Sequence, residues 1–345
     1  NRCLFGIRQH MKDDQNNFIK MKDIVKKRRA GIVKSLQSKI KHNIVERKPS
    51  WLKVKLPGGD NFNELKRELH TNGLWTVCEE ASCPNLSECW SAKTATIMIL
   101  GGICTRACRF CNVMTGNPKG IVNEDEIVRT SQQITMMGLT YVVITSVDRD
   151  DLADGGAEHF SKVIQNIKNT SPSTYIEVLI PDFNGKADAH RLIGDSNPFV
   201  VAQNLETVKR LTLTVRDRRA SYLQTLNVLR FYHENYPIIT TKSSLMVGLG
   251  ESNEEIQKAL KDLKQHGVRI VTIGQYLRPT RNHLKVEKYY TPDEFEEIKS
   301  FALDLGFEFV ASGPLVRSSY KAADYIQHLK SKTIGVHDCG TTDLT

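Results

Sequence analysis

No stretch of the chain approaches the roughly 18–20 uninterrupted apolar residues that a membrane helix needs, so no membrane span is expected. Acids are scarce at the amino end, where residues 1–55 hold 16 Lys/Arg against 4 Asp/Glu. That surplus of 12 exceeds the net +9 of the whole chain and leaves residues 56–345 at −3. The body therefore lacks the basic footprint of a nucleic-acid binder. Cysteines are also missing from most of the length: six of the eight fall within 78–111, and Cys3 and Cys339 stand alone near the ends. A disulfide framework would spread through a small secreted domain, whereas this chain has 345 residues and no recognisable secretory signal. Clustered thiols in a reducing compartment read instead as metal ligands.

At 345 residues the chain has enough length for one large core or two modest ones. Residues 1–48 are Lys-, Arg-, Asn- and Gln-rich and form either a solvated basic arm or the remainder of an organelle-targeting segment. An amphipathic helix around 24–40 carries no chemistry of its own. The Lys/Asn-rich character points to a plastid of the apicoplast type, with a mitochondrion as the alternative. Folded sequence begins near Pro49-Ser50-Trp51-Leu52, and a short helix is expected at 63–70. From residue 97, apolar β-branched runs alternate with helical patterns, giving strands over 97–100, 141–145, 175–180, 199–202, 243–247 and 270–273. Such runs bounded by helices are parallel strands buried on both faces.

Helix ends are marked as well. Asn123 with Glu126, Ser252 with Glu255, and Thr291-Pro292 with Glu294 read as capped starts, while Gly138, Gly267 and Gly306 read as stops. Six βα units fall short of the eight of a closed barrel. The expected fold is α/β, an open (β/α)6 TIM-type partial barrel over 93–290. An extension over 49–92 precedes it, and a helix with a further extension over 291–345 follows.

The chemistry centres on Gly101-Gly102-Ile103-Cys104-Thr105-Arg106-Ala107-Cys108-Arg109-Phe110-Cys111, directly after the first strand. Three cysteines at C-x3-C-x2-C spacing with no fourth ligand nearby would leave one metal position open. A second triplet, Cys78, Cys83 and Cys89, follows C-x4-C-x5-C spacing. Structural zinc asks for four ligands, usually as two close pairs, and neither triplet supplies them. Iron–sulfur clusters accept a triplet with a remote fourth ligand. Zinc remains the competing reading of the six thiols. Arg106 and Arg109 either offset cluster charge or are solvated. Asp148, Asp150 and Asp151 are either paired acids for proton transfer or a salt-bridged loop around Arg149.

The first triplet, after a strand and within a run of βα units, resembles the radical S-adenosylmethionine superfamily. The second triplet narrows the resemblance to the lipoyl synthase family. Thr76-Val77-Cys78-Glu79-Glu80, Thr145-Ser146-Val147-Asp148-Arg149-Asp150-Asp151-Leu152, Asn204-Leu205-Glu206-Thr207-Val208, Val215-Arg216-Asp217, Gly274-Gln275-Tyr276-Leu277 and Arg317-Ser318-Ser319-Tyr320 are similar to stretches of that family. The resemblance runs over 51–324. It departs at Ser82, where the family usually carries a basic residue, and at Gln203, where it carries a histidine.

The resemblance implies that Cys104, Cys108 and Cys111 bind a [4Fe–4S] cluster whose open iron holds S-adenosylmethionine and yields a 5′-deoxyadenosyl radical. It implies that Cys78, Cys83, Cys89 and Ser319 bind a second, auxiliary [4Fe–4S] cluster, the serine giving a bond that opens readily. Arg317 would orient that serine. Ser146, Asn204, Glu206, Arg216 and Gln275 are the expected contacts of S-adenosylmethionine, near the carboxyl ends of strands. Lys242-Ser243 and Gly248-Leu249-Gly250-Glu251 resemble the family's fifth-strand region. The implied reaction puts two sulfur atoms at C6 and C8 of an octanoyl chain on a lysine of a lipoyl carrier domain, the sulfur coming from the auxiliary cluster. The implied partners are that carrier domain and a ferredoxin- or flavodoxin-type reductant, with no nucleic acid and a monomeric enzyme. Competing readings are a radical methylthiotransferase acting on tRNA, a two-cluster electron carrier and a zinc-binding interaction module.

Overall fold

The computed structural model describes residues 48–53, 67, 75–76, 79, 83, 85, 89, 96–320, 322 and 324–329. The chain divides between Lys48 and Pro49, and the fold is that of the second unit. The helix expected at 24–40 and Cys78 lie outside the described residues, as do Ser82 and, Lys48 apart, the basic stretch 1–48. Of the helix expected at 63–70 only Arg67 is described, and it is helical.

Among the described residues the strands are β1 (Trp75–Thr76), β2 (Thr96–Ile99), β3 (Ile103–Cys104), β4 (Met114–Thr115), β5 (Tyr141–Ser146), β6 (Tyr175–Leu179), β7 (Val200–Ala202), β8 (Thr240–Val247), β9 (Ile270–Gln275) and β10 (Phe309–Gly313). The helices are α1 (Asp125–Met137), α2 (Ala157–Thr170), α3 (Ala187–Asp195), α4 (Thr212–Val215), α5 (Tyr222–Asn235), α6 (Asn253–Gln265) and α7 (Pro292–Asp304). The main sheet runs β1-β2-β5-β6-β7-β8-β9-β10, parallel throughout except for β1 at its edge. Strands β2 and β10 do not pair, so the barrel stays open.

The six expected strands are all present, and β10 adds a seventh parallel one. It pairs with β9 from Phe309↔Ile270 to Gly313↔Gly274. Residues beyond 290 thus supply the expected helix, and also a strand of the sheet where only an extension was expected. Alternation along β5 shows how the barrel fills. Val142 and Ile144 pack outward among the helices, while Tyr141 and Val143 face inward toward Ala322. Fully burying one such aliphatic side chain contributes about 1.5–3 kcal/mol.

Residues 324–329 close the end where strands begin. The Tyr325 ring stands 6.0 Å from Phe309 and 6.2 Å from Phe199, and its hydroxyl donates to Glu308 at 3.2 Å. Inside the barrel, Lys242 Nζ meets Glu177 Oε1 at 2.7 Å, and Tyr141 donates to Glu177 Oε2 at 2.5 Å. All the chemistry is thereby left to the opposite, carboxyl end.

Two capping boxes form as expected, Ser252 with Glu255 and Thr291 with Glu294. The third does not. Asn123 Oδ1 accepts the Asp125 N–H at 3.1 Å, but Glu126 is buried and turned away from the helix start. Its carboxylate accepts the Leu100 N–H at 2.7 Å and meets His159 Nε2 at 3.0 Å. A buried N–H outside the sheet ladder needs an acceptor, and Leu100, at φ 65°, has none in the main chain.

Candidate active site

After β2 the chain turns through Leu100 (φ 65°) and Gly101 (φ 83°) into the cysteine loop. The short β3/β4 pair closes the loop's neck, with Ile103 opposite Met114 and Cys104 opposite Thr115. Arg149 donates from Nη1 to the Leu100 carbonyl at 3.2 Å and from Nη2 to the Ile121 carbonyl at 2.9 Å. Its Nε and Nη2 also hold Asp151 at 2.8 and 2.9 Å, and Asp151 accepts the Gly120 N–H at 2.7 Å.

Arg106, 5% exposed, pins the middle of the loop. It donates to Asp182 through two nitrogens at 2.9 and 2.6 Å, to Asp150 at 3.1 and 3.0 Å, and to Asn184 at 3.0 Å, with Asp148 at 3.3 Å. Of the two readings of Arg106, the solvated one fails, because three carboxylates enclose it. Arg109 is exposed and donates to the Thr214 carbonyl at 3.3 Å. The Asp148–Asp151 run is the salt-bridged loop of its two readings. Arg106 and Thr105 hold Asp150 against the upward push of burial and bring it down to about 2. Burial, with Asp182 and Asp150 against Arg106, pushes Asp148 up to about 6.

Cys104, Cys108 and Cys111 are free, half-buried thiols. Burial pushes Cys104 up to about 12, helped by Asp148 and opposed by the Arg106 N–H. Burial pushes Cys108 up to about 12 against the Asp217 N–H, which donates to its sulfur at 3.2 Å, and burial raises Cys111. Such thiols lose their protons when a metal takes them. Among the described residues no three His, Cys, Asp or Glu side chains close on a single ion. The donor set suits a wider group, since thiolates on separate irons of a cluster stand further apart than ligands of one zinc.

Polar atoms that lack partners gather at the strand ends beside this loop. Ser146 Oγ at the end of β5, and Gln203 Oε1 and Asn204 Oδ1 beyond β7, are buried without a hydrogen bond. Glu206, at φ 69°, accepts from Asn204 Nδ2 at 3.0 Å. Burial raises its carboxyl, with Arg216 and Asn204 opposing. Arg216 donates to Thr225 at 2.9 Å, and its charge also acts on the Cys108 thiol. Strain and unsatisfied polar atoms at one edge mark a ligand site. Gln275 differs. Its Nε2 donates to the carbonyls of Val247, Tyr276 and Lys288, and its Oε1 accepts the Tyr290 N–H. That amide is engaged by main chain and braces the turn at Gly248 (φ 108°), where a Cβ would stand 2.1 Å from it.

Of the second triplet, Cys83 and Cys89 are described. Burial raises the Cys83 thiol, opposed by the Asn85 N–H and the Arg317 charge. Asn85 Nδ2 donates to the Leu315 carbonyl at 2.6 Å, across 230 residues. The 313–317 turn presses on β9: a Cβ on Gly274 would lie 2.0 Å from the Val316 carbonyl oxygen. Ser319 is half-buried in the turn that follows.

Three residues that hold the loop, Asp182, Asn184 and His283, were not singled out from the sequence, and Asp217 was named there without this role. Asp182 and Asn184 belong to Pro181-Asp182-Phe183-Asn184-Gly185, a turn with positive φ at Phe183 and Asn184. Its Asp/Asn/Gly composition after a strand is legible, but the arginine it meets lies 76 residues away. Asp217 accepts the Ala107 N–H at 2.8 Å, and His283 Nε2 donates to the Cys111 carbonyl at 2.9 Å.

A three-cysteine loop on the first strand of an open parallel α/β barrel, with unsatisfied polar atoms beside it, defines a radical S-adenosylmethionine enzyme. Residues 98–263 match the radical SAM superfamily, and residues 8–83 match the N-terminal domain of lipoyl synthase. The chain is 52% identical over 279 residues to lipoyl synthase of Ectopseudomonas mendocina, covering 81% of this chain and 80% of that one. Against lipoyl synthase of Deinococcus radiodurans it is 54% identical over 281 residues, covering 81% and 85%. It belongs to the lipoyl synthase family, radical enzymes that insert sulfur and act on lipoyl carrier proteins. Among solved structures, Streptococcus suis SuiB bound to precursor peptide SuiA superposes with a TM-score of 0.50 at 11% identity, over 73% of this chain and 52% of that one. That likeness is one of fold.

The comparison corrects one expectation. The relatives are bacterial, which overturns the plastid and mitochondrial readings. The basic stretch misled because its charge suits a targeting segment, yet from residue 8 onward it lies within the match to the family's own N-terminal domain.

Proposed function

We propose that this chain inserts two sulfur atoms, at C6 and C8 of an octanoyl chain carried on a lysine of a lipoyl carrier domain. Cys104, Cys108 and Cys111 hold the [4Fe–4S] cluster that binds S-adenosylmethionine. When bound, that pair supplies a radical able to take hydrogen from unactivated carbon, which acid–base catalysis does not do. Ser146 Oγ and Asn204 Oδ1, buried and unpartnered, orient the cofactor with Glu206 and Arg216. Gln275 is left out of this set, since its amide is saturated by main chain. Cys78, Cys83, Cys89 and Ser319 hold the auxiliary cluster, which is the sulfur source. A ferredoxin- or flavodoxin-type protein supplies electrons.

One observation carries the reading. The segment of the second triplet is tied to the carboxyl-terminal motif through Asn85 and Leu315, and Arg317 acts on Cys83. These ties bring the segment of Cys83 near the turn that leads to Ser319, which supports a cluster shared between them. A methylthiotransferase acting on tRNA is not favoured, since the relatives are lipoyl synthases and residues 56–345 are net negative. Anaerobic reconstitution tests the proposal. About eight irons per chain, with matching sulfide, are expected from two four-iron clusters, together with lipoyl formation on an octanoylated carrier domain. Four irons, or zinc, would count against it.

A further inference from the structure

Residues 56–345 are net negative, yet one face beside the cysteine loop carries cations almost alone. Three segments build it, 105–111, 213–219 and 278–285. Hydrogen bonds hold them side by side. The Arg109 N–H donates to the Val215 carbonyl at 2.9 Å and the Leu284 N–H to the Arg109 carbonyl at 3.4 Å. Arg219 Nη2 donates to the Thr105 carbonyl at 2.6 Å.

Arg109, Arg218, Arg219, Arg281 and Lys285 are exposed on these segments, with Leu213 among them at 76% exposure. The one acid in the three segments is Asp217. It is buried and engaged by the Arg219 side chain and the Ala107 N–H. Arg219 is paired with Asp217 at 2.8 Å and with Asp150 at 3.1 Å, whereas Arg218, Arg281 and Lys285 make no ion pair among the described residues. The next acid along the third segment, Glu287, lies beyond it.

The face also lies directly over the radical-generating loop. Ala107 and Arg109, on either side of Cys108, are both exposed, and the Asp217 N–H donates to the Cys108 sulfur at 3.2 Å. A partner seated here is separated from a cluster ligand by single residues.

We propose that this face docks an acidic protein that delivers one electron at a time, an iron–sulfur or flavin carrier. The proposal rests on the radical function above, and it adds where the donor binds and by what forces. In the transfer, one electron leaves the donor's cofactor, which is oxidised by one equivalent, and enters the metal centre of the loop; no covalent bond changes. Five exposed cations, one of them paired, beside the exposed Leu213 suit a small, transient interface. Electron-transfer encounters are at the small end of interface sizes, and rim charges act on association rate more than on residence. The acidic carrier domain and RNA are the competing occupants.

The test is a full-length variant carrying Arg218→Glu, Arg281→Glu and Lys285→Glu, none of which holds the loop. With a purified acidic ferredoxin as donor, cluster reduction in the unsubstituted protein should slow as salt rises. In the variant it should be slower by roughly tenfold or more at low salt and nearly salt-independent. Reduction by dithionite, and iron content, should not change. Binding of the oxidised ferredoxin, read by calorimetry, should weaken in parallel, and this readout addresses the face even if the radical reading fails on iron content. Equal ferredoxin rates and binding in the two proteins would overturn the proposal. So would a rise in KM for the octanoylated carrier domain, or a loss of RNA retention, with ferredoxin reduction intact.

Discussion

Arg149 and Asp151 form a buried two-point ion pair that fastens both ends of the cysteine loop. The arginine is 2% exposed and takes the carbonyls of Leu100 and Ile121, while the aspartate takes the Gly120 N–H. One planar side chain thus joins the entry of a loop to its exit, across a span that includes all three cysteines. Arg106 then fixes the interior of the same span to β5 and β6. Acidic residues that look suited to proton transfer act here as anchors.

Arg149→Met leaves Asp151 and two carbonyls without their donor. Removing one partner of a buried pair costs about 3–5 kcal/mol, so the denaturation midpoint should fall. The specific expectation is that reconstituted iron drops from about eight to about four per chain, because only the first triplet loses its shape. Arg149→Lys keeps the charge but not the fork, and it should restore stability more than iron. Full iron loading in Arg149→Met would show that the clasp does not shape the loop.

Ser319→Ala should separate the two halves of the chemistry. With Cys104, Cys108 and Cys111 untouched, cleavage of S-adenosylmethionine should continue near the normal rate, while lipoyl formation should fall at least about tenfold, a change of about 1.4 kcal/mol in barrier. Product and 5′-deoxyadenosine measured in the same reaction give the ratio. Undiminished lipoyl formation sinks the assignment of this serine as a ligand.

Gly274→Ala addresses the contact between β9 and the 313–317 turn. Its Cβ would lie 2.0 Å from the Val316 carbonyl oxygen, a main-chain atom without a flexible side chain's freedom to withdraw. Overpacking of this kind costs about 1–3 kcal/mol, and the displaced turn carries Arg317 and Ser319 with it. Lipoyl formation should drop more than S-adenosylmethionine cleavage, as for the serine variant. Equal losses in both would mean that the strain spreads through the barrel.

His190 gives a pH dependence of stability. Burial pushes its imidazole down to about 4, although the Asp182 carbonyl and charge favour the protonated form. The unfolded chain, with a histidine pKa of about 6.5, binds this proton first as pH falls. Stability is therefore highest above pH 6.5 and declines as pH falls from 6.5 towards 4, by about 3 kcal/mol for this group. Denaturation midpoints across that window should lose a corresponding part of their slope in His190→Asn. An unchanged slope would mean that carboxylates alone govern it.

The sequence by itself determined the elements and the ligand chemistry. Strand runs such as 141–145 and 270–273 are continuous because both faces are covered, and Ser252/Glu255 and Thr291/Glu294 cap their helices through contacts three residues apart. Cysteine spacing and residue type alone carry the metal reading. What tertiary structure alone decided is which distant groups meet. Glu126 reads as a capping residue, but the buried Leu100 N–H draws it inward. Arg106 reads equally as a cluster-facing or a solvated cation until Asp148, Asp150 and Asp182 converge on it from two strand ends. Strand β10 spans only five residues and ends in serine and glycine, and its place in the sheet depends on pairing with β9. The tie from Asn85 to Leu315 spans 230 residues. Short-range pattern records propensity and chemistry, whereas burial and pairing depend on how the sheet curls, and that curl brings the second triplet's segment beside the turn that leads to Ser319.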